Sequence, residues 1–541
     1  MFTPHPISCI IMENTTMGVD MDLNILTSGE KTIAFIGMVL YMVLVIIVGL
    51  LYSKRNKSTE DFFLGGRSLG PWVTAMSAEA SDMSSWLLMG LPGLAYLSGF
   101  ASAGWTAIGL ALGTWFNWRF VAYRLRTYSH VAGNAITLPD YFSNRFHDEK
   151  KILMILSALV IFFFFIVYTS SGFAALGKLF NSLFGFDYTM MMVIGALVVV
   201  VYTIVGGFLA ESTADFMQGT LMFFSLIIIL IAGVVEAGGL GAIAASLREL
   251  DGFGGLFTSH DRITGSTVRV SLLEIASSLA WGLGYFGMPH VLLRFMAIRD
   301  ANELNRSRRI AMIWVVVSLA AAVCIGVVGV AAVPRLLEGA SPETFSSRSE
   351  TVFIVMTQLL GQYSGILVVF VGVILSGILA ATMSTSDSQL LVTSSAISQN
   401  FFKGVVKKDA TDRQVLWISR ITIIVVAIIG AFLAADPNAS IFGIVSYAWA
   451  GFGAAFGPIM LFSLFWKRTT LPGAVAGMAG GFLAVVVWKN AIAALGGVFA
   501  IYELLPAFIF SSLCIIVVSL VTSEPSQEIQ DEFAHAVLPR G

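Results

Sequence analysis

Two carboxylates, Glu79 and Asp82, stand three residues apart in a segment long enough to cross a membrane. Residues 74–93 read Thr-Ala-Met-Ser-Ala-Glu-Ala-Ser-Asp-Met-Ser-Ser-Trp-Leu-Leu-Met-Gly-Leu-Pro-Gly. The first half is small and polar. The second half is apolar but holds Gly90, Pro92 and Gly93. A carboxylate at membrane depth costs several kcal/mol unless it faces a cavity, a partner or an ion. A helix broken at that depth frees backbone carbonyls, which bind a cation well. The chemistry that fits this pattern is cation binding inside a transport path.

A second polar run, residues 380–389, lies in another apolar stretch and carries Ser384, Thr385 and Asp387. Hydroxyls and carbonyls are hard oxygen ligands and suit a hard cation such as sodium. The competing reading is that serine and threonine in membrane helices bond to their own backbone or across helix contacts. Asp387 in the same run shifts the balance toward function, because an intramembrane acid is rarely ornamental. Trp86, Trp281, Tyr285 and Tyr168 could wall a small amphipathic solute. The first three lie beside helix-breaking residues, whereas Trp105, Trp115 and Trp118 do not and read as structural or interfacial. Asp215 and Arg67 read either as the inner mouth of an ion path or as ordinary loop charges. Two enzyme-like patterns fail on context. Gly172 to Lys178 imitates a phosphate loop, but Leu179 stands where a hydroxyl is needed. Gly282, Gly284 and Gly287 match a dinucleotide fingerprint with no preceding strand.

The elements that must position these residues are membrane helices. The chain has 541 residues, 57% of them hydrophobic and 12% charged, against roughly 25% charged in soluble domains. Thirteen apolar stretches reach the roughly 20 residues that a span needs, the first at 32–52 and the last at 504–522. Residues 363–397 are long for one span, and 351–361 ahead of them read as a short interfacial or re-entrant helix. Residues 240–250 read as an amphipathic surface helix. With the N-terminus outside, 22 of the 31 lysines and arginines fall on the inner side, Arg294 among them as a loop charge. One peripheral span, two sets of five and two further spans make up the thirteen. The sets, about 73–236 and 271–465, each open on an interrupted helix, which is the sequence mark of a transport site between inverted repeats. Residues 1–30 read as a disordered extracytoplasmic tail, 31–525 as the transport domain and 526–541 as a loosely ordered cytoplasmic tail. The three cysteines and six histidines show no metal-ligand spacing. Nothing suggests nucleic acid, a catalytic group or an obligatory protein partner.

In these blocks the chain resembles the sodium:solute symporter family. The likeness runs from about residue 50 to 525. It is carried by Leu64-Gly-Gly-Arg-Ser-Leu-Gly-Pro71, Ala80-Ser-Asp-Met-Ser-Ser-Trp86, Leu138-Pro-Asp-Tyr141, Gly206-Gly-Phe-Leu-Ala210, Trp281-Gly-Leu-Gly-Tyr-Phe-Gly287, Met383-Ser-Thr385 and Ser446-Tyr-Ala-Trp-Ala-Gly451. The resemblance implies an all-α polytopic protein with a leucine-transporter-like five-plus-five core. It implies sodium-coupled uptake of L-proline across the plasma (inner) membrane by alternating access, with the C-terminus cytoplasmic and lipid as the surrounding partner. Another small solute, such as pantothenate, a sugar or sialic acid, is the alternative. No cofactor and no enzymatic activity are implied; sodium is a co-transported substrate. Carried over by position, Ala80, Met83 and Ala381 would offer carbonyls to sodium, and Ser384 and Thr385 their hydroxyls. Asp82 would organise coupling, with Asp215 and Arg67 on the inner path. Ser84, Ser85, Trp86, Tyr168, Trp281 and Tyr285 would line the solute pocket. Glu79 and Asp387 depart from the pattern; each would either add negative charge near the expected cation or be protonated there, which opens the reading that a proton or a second cation takes part.

Overall fold

Ser84 divides the first polar segment in two. The computed structural model describes residues 25–53 and 58–537. In it a helix starts at Pro71, where the missing N–H costs nothing, and runs Pro71–Ser85. At Ser84 the backbone turns to φ 48° and ψ −173°, a left-handed conformation that costs a serine about 1–3 kcal/mol. The Ser84 hydroxyl offsets part of that cost by accepting the Trp86 amide at 3.1 Å. A wide π-type turn over Trp86–Gly90 follows, and the helix resumes as Leu91–Ser98.

The second break is built differently. A capping box on Ser271 and Glu274 starts the helix Leu272–Leu279. The chain then tightens into a 3₁₀ helix over Ala280–Phe286 and restarts as Pro289–Ala297. Gly282 explains the apparent dinucleotide fingerprint. A Cβ there would lie 2.1 Å from the Gly109 carbonyl oxygen of the neighbouring helix Phe100–Phe116, so the glycine serves close backbone packing. A third interruption lies within Tyr188–Glu236, which kinks at Gly207 (φ 69°).

Helix accounts for 81% of the structure. Among the described residues, nine helices are long and apolar enough to cross a membrane. Large apolar side chains such as Leu40, Val201, Ile231 and Phe432 face outward, while Ser384, Asp387 and Gln389 are buried. That reverses the arrangement of a soluble protein. Residues 365–395 form one unbroken helix, Gly365–Ser395, continued by a π-type stretch Ala396–Val406. Its hydroxyls return to carbonyls one turn back, as Ser376 does to Gly372 and Ser388 to Ser384, so the polar run does not break it. The helix Val352–Leu359 ahead of it is buried in protein rather than interfacial. The amphipathic helix at Leu240–Glu249 is present.

Three features differ from the sequence reading. The first helix begins at Ser28, inside the expected tail, because Thr27 and Glu30 cap it reciprocally. Most of that tail, with Lys54, Arg55, Lys57 and Arg540 of the charge count, lies outside the described residues. A two-stranded hairpin, Thr258–Asp261 with Ser266–Arg269, was not anticipated; its eight residues are mostly polar and lack an apolar alternation. The C-terminal segment is a docked helix, Gln527–Val537. Phe533 lies against Tyr128 and the Arg145 guanidinium, and Glu532 sits 3.1 Å from His147.

Candidate functional site

The break at Ser84 faces the polar helix Gly365–Ser395. Ser384 Oγ lies 2.8 Å from the Ala80 carbonyl oxygen and 3.2 Å from that of Ala381. Three of the five expected sodium ligands are thus in direct contact. The Thr385 hydroxyl beside them is buried and has no hydrogen-bond partner. The fifth, the Met83 carbonyl, accepts the Trp86 amide across the break. Tyr168 donates to the Asp82 carbonyl at 3.1 Å, and Tyr285 donates to Asp82 Oδ2 at 2.7 Å. Two tyrosines from two other helices therefore fix the residue at the break.

Above the break lies an aromatic wall. Trp86 and Trp281 pack with ring centroids 5.3 Å apart, and Phe442 lies 5.9 Å from Trp86 and 5.2 Å from Trp281. Tyr502 stacks on Trp281 at 5.0 Å, and Trp449 donates to the Trp281 carbonyl at 2.8 Å. The Trp86 indole N–H and the Ser85 hydroxyl are buried and unpaired. Such a mixture, mostly apolar with a few unpaired polar groups, suits a small amphipathic solute. Glu350 holds Phe442 in place. It accepts from the Ser440 hydroxyl and from the Ile441 and Phe442 amides at the start of the helix Ile441–Phe465, and it pairs with Lys178 at 2.7 Å.

Below the break is a buried charged cluster. Arg294 contacts Glu211, Ser388 and Asp215, the last at 3.2 Å, and its Nε donates to Ser77 Oγ at 3.0 Å. Ser77 in turn donates to Asp215 at 2.6 Å, and Ser388 donates to Glu211. Asp387 faces this cluster: its Oδ1 accepts the Ser388 amide, and its Oδ2 is unpaired. Asp215 thus lies in this buried cluster, bonded to Ser77 and Arg294. Arg67 does not join it. Its guanidinium donates to the carbonyls of Met296 and Ala135, each at 2.7 Å, and burial draws it down to about 10, so it remains charged at neutral pH. Arg294, read from the sequence as a loop charge, is fully buried. Glu79 accepts from the indole of Trp118 at 3.0 Å, and Trp118 is buried, so of its two readings, structural or interfacial, the structural one holds.

Sequence reasoning passed over Glu211, Arg294, Phe442, Trp449 and Tyr502. Glu211 was findable, as an acid four residues past the glycine pair in an apolar stretch. The aromatics carry no local signal, because only the tertiary packing brings them to the break.

The comparisons with known proteins accord with this geometry. The profile of the sodium:solute symporter family matches residues 62–481. The chain belongs to the sodium:solute symporter family. It is 44% identical over 498 residues to the sodium/proline symporter of Escherichia coli, covering 92% of this chain and 94% of that one. It is equally similar over 489 residues to the high-affinity proline transporter PutP of Bacillus subtilis, covering 90% and 98%. Among solved structures, a Na⁺-coupled sialic acid symporter in a substrate-bound outward-open state aligns with TM-score 0.72 at 19% identity, over 92% of this chain and 99% of that one. Mhp1, a nucleobase-cation-symport-1 family transporter, aligns with TM-score 0.51 at 14% identity, over 89% and 99%. At those identities the likeness establishes the fold and nothing about the solute.

Proposed function

We propose that this symporter carries L-proline inward, driven by sodium, through alternating access about the break at Ser84. The observation that carries the reading is that one break serves both ligands. Ala80, on its helical side, is held by Ser384, while Trp86, just past it, packs on Trp281. Sodium is bound by the carbonyls of Ala80, Met83 and Ala381 and the hydroxyls of Ser384 and Thr385. To take the Ala80 carbonyl it displaces the Ser384 hydroxyl proton from that bond. Asp82 reports the ion to the pocket, since its backbone and carboxylate are held by Tyr168 and Tyr285. Proline lies among Ser84, Ser85, Trp86, Tyr168, Trp281 and Tyr285, with Phe442 as the outer cover. Arg294 and Asp215 close the inner side, and Arg67 braces the loops around it. Each ligand favours the same closed state, so their affinities are linked reciprocally. The membrane potential adds about 2.3 kcal/mol per charge per 100 mV.

The relatives' names support proline over pantothenate, a sugar or sialic acid. The two broken helices, at matching places in 73–236 and 271–465, support a five-plus-five inverted repeat within thirteen spans. The positive-inside bias supports an outer N-terminus and a cytoplasmic C-terminus in a plasma (inner) membrane.

The test is uptake of radiolabelled L-proline into proteoliposomes under imposed sodium or proton gradients. Sodium-dependent accumulation that Asp82→Asn abolishes is expected. Uptake indifferent to sodium would overturn the coupling, and full competition by pantothenate, a sugar or sialic acid would overturn the solute.

A further inference from the structure

Tyr502 lies outside both expected sets of five, 73–236 and 271–465, just ahead of the last apolar helix, Leu504–Val521. Even so, it is fastened to both of the helices whose rings meet in the aromatic wall. Its backbone amide donates to Ser277 Oγ at 2.7 Å, and its hydroxyl donates to the Ser446 carbonyl at 2.7 Å. Its ring stacks on Trp281, with centroids 5.0 Å and planes 20° apart. The two anchors lie close to the wall. Ser277 stands four residues before Trp281, and Ser446 four residues after Phe442, each about one helical turn away. Trp281 and Phe442 touch at 5.2 Å. Tyr502 therefore ties the two helices together near the point where their rings meet.

Trp281 depends on such support. It stands in the second break, in the 3₁₀ stretch Ala280–Phe286. Its carbonyl is held by Trp449, and its indole is placed by the rings of Trp86, Phe442, Trp449 and Tyr502. Trp86 follows the break at Ser84, and Phe442 is the outer cover, so both belong to parts that shift when a solute enters. Tyr502 is the ring of the four that comes from outside the two sets, and hydrogen bonds hold it at both its amide and its hydroxyl. A stack of this kind is ordinary packing unless the ring it supports meets the solute. We propose that Tyr502 is a positioning residue of the solute pocket: it sets the place of the Trp281 indole and, through it, the affinity for a small ring-shaped solute. This rests on the proposed uptake of proline and deepens it, because the pocket then depends on an element outside the two repeats.

Uptake of radiolabelled L-proline into proteoliposomes holding the full chain, with ²²Na⁺ binding measured without proline, tests this. Tyr502→Leu is expected to raise the proline half-saturation about three- to tenfold, the worth of an aromatic pair, and to leave the maximal rate and ²²Na⁺ binding at the wild-type level. Tyr502→Phe keeps the ring and is expected to recover most of that loss. On a Trp281→Leu background, Tyr502→Leu is expected to add less than about a twofold rise, because a residue that acts through Trp281 then has nothing to place. An unaltered half-saturation in Tyr502→Leu, or a rise that persists in full without Trp281, overturns the proposal. So does a loss of sodium binding that matches the loss of proline affinity, which marks the stack as structural only. Ser277→Ala guards against misfolding of Tyr502→Leu. It removes the acceptor of the Tyr502 amide and is expected to raise the proline half-saturation about two- to fivefold; an unaltered value overturns the anchoring. A wild type that accumulates no proline overturns the solute reading and not the role of Tyr502, which is then scored by the same ratios with whichever of pantothenate, glucose or sialic acid it accumulates.

Discussion

Ser384→Ala tests the coupling most directly. In the structure the Ser384 hydroxyl is 2.8 Å from the Ala80 carbonyl oxygen and is fully buried. Without the ion, the substitution removes one neutral hydrogen bond worth about 1 kcal/mol. With the ion, it removes one oxygen ligand from a charged partner, worth about 1.5–3 kcal/mol. The two losses act in opposite directions on sodium affinity, so the net weakening is about 0.5–2 kcal/mol. That corresponds to a roughly 2- to 30-fold rise in the sodium half-saturation. Initial rates of proline uptake, measured across a sodium series at fixed potential, give this number. At saturating sodium the proline half-saturation should return to the wild-type value, because the pocket residues are untouched and the linkage is reciprocal. An unaltered sodium half-saturation would refute the assignment of Ser384 as a ligand. A proline defect that sodium does not relieve would place Ser384 in the pocket instead.

Other variants probe the rest of the site. Phe442→Ala removes the aromatic cover from Trp86 and Trp281; it should raise the proline half-saturation about ten- to a hundredfold, since burying a phenyl ring contributes about 1.5–3 kcal/mol, while ²²Na⁺ binding without proline stays unchanged. Arg294→Met leaves the buried carboxylates of Glu211 and Asp215 without their cation, so the unfolding free energy in detergent should drop by about 3–5 kcal/mol; a smaller loss than Arg335→Met, whose pair with Glu338 is exposed on both sides, would contradict this. Phe533→Ala should loosen the C-terminal helix from Arg145 and cost about 1–2 kcal/mol, with no effect on the sodium dependence of uptake.

How much of this was legible follows from where each signal resides. Polar residues in an apolar run are conspicuous, because the membrane makes each one expensive. Glu79, Asp82, Ser384, Thr385 and Asp387 therefore stood out in the sequence, and all five are buried in the structure. Helix breaks were readable too, from Gly90, Pro92, Gly282, Gly284 and Gly287, although the first break falls at Ser84, which no propensity would select. Arg294 was misplaced for a related reason. It lies at the end of an apolar stretch, where an arginine ordinarily extends to the interface. Ser77, Glu211, Asp215 and Ser388, from three other helices, hold it inside. Phe442, Trp449 and Tyr502 are apolar residues in apolar helices and differ from their neighbours only by what they touch.

The first broken helix is tied to five other elements over six residues. Ser77 holds Asp215 and Arg294, Ala80 is held by Ser384, the Asp82 backbone by Tyr168 and its side chain by Tyr285. Each neutral bond contributes about 1 kcal/mol, and those to charged groups contribute more. Opening the inner side requires several of these to break together. Sodium changes that balance at one point, the Ala80 carbonyl, where it substitutes for the Ser384 proton and adds its own ligands from both helices. A bound ion therefore strengthens the tie between the broken helix and the polar helix, and its departure weakens it. On this argument Ser77→Ala, which removes a bond to Asp215 and one to Arg294 without touching an ion ligand, should favour the inward-open state. Hydrogen exchange of the 71–85 amides in sodium-loaded protein should speed up, with sodium binding weakened in proportion. Unchanged exchange with weakened sodium binding would mean instead that Ser77 acts on the ion site directly, and that the ties below the break do not govern inner opening.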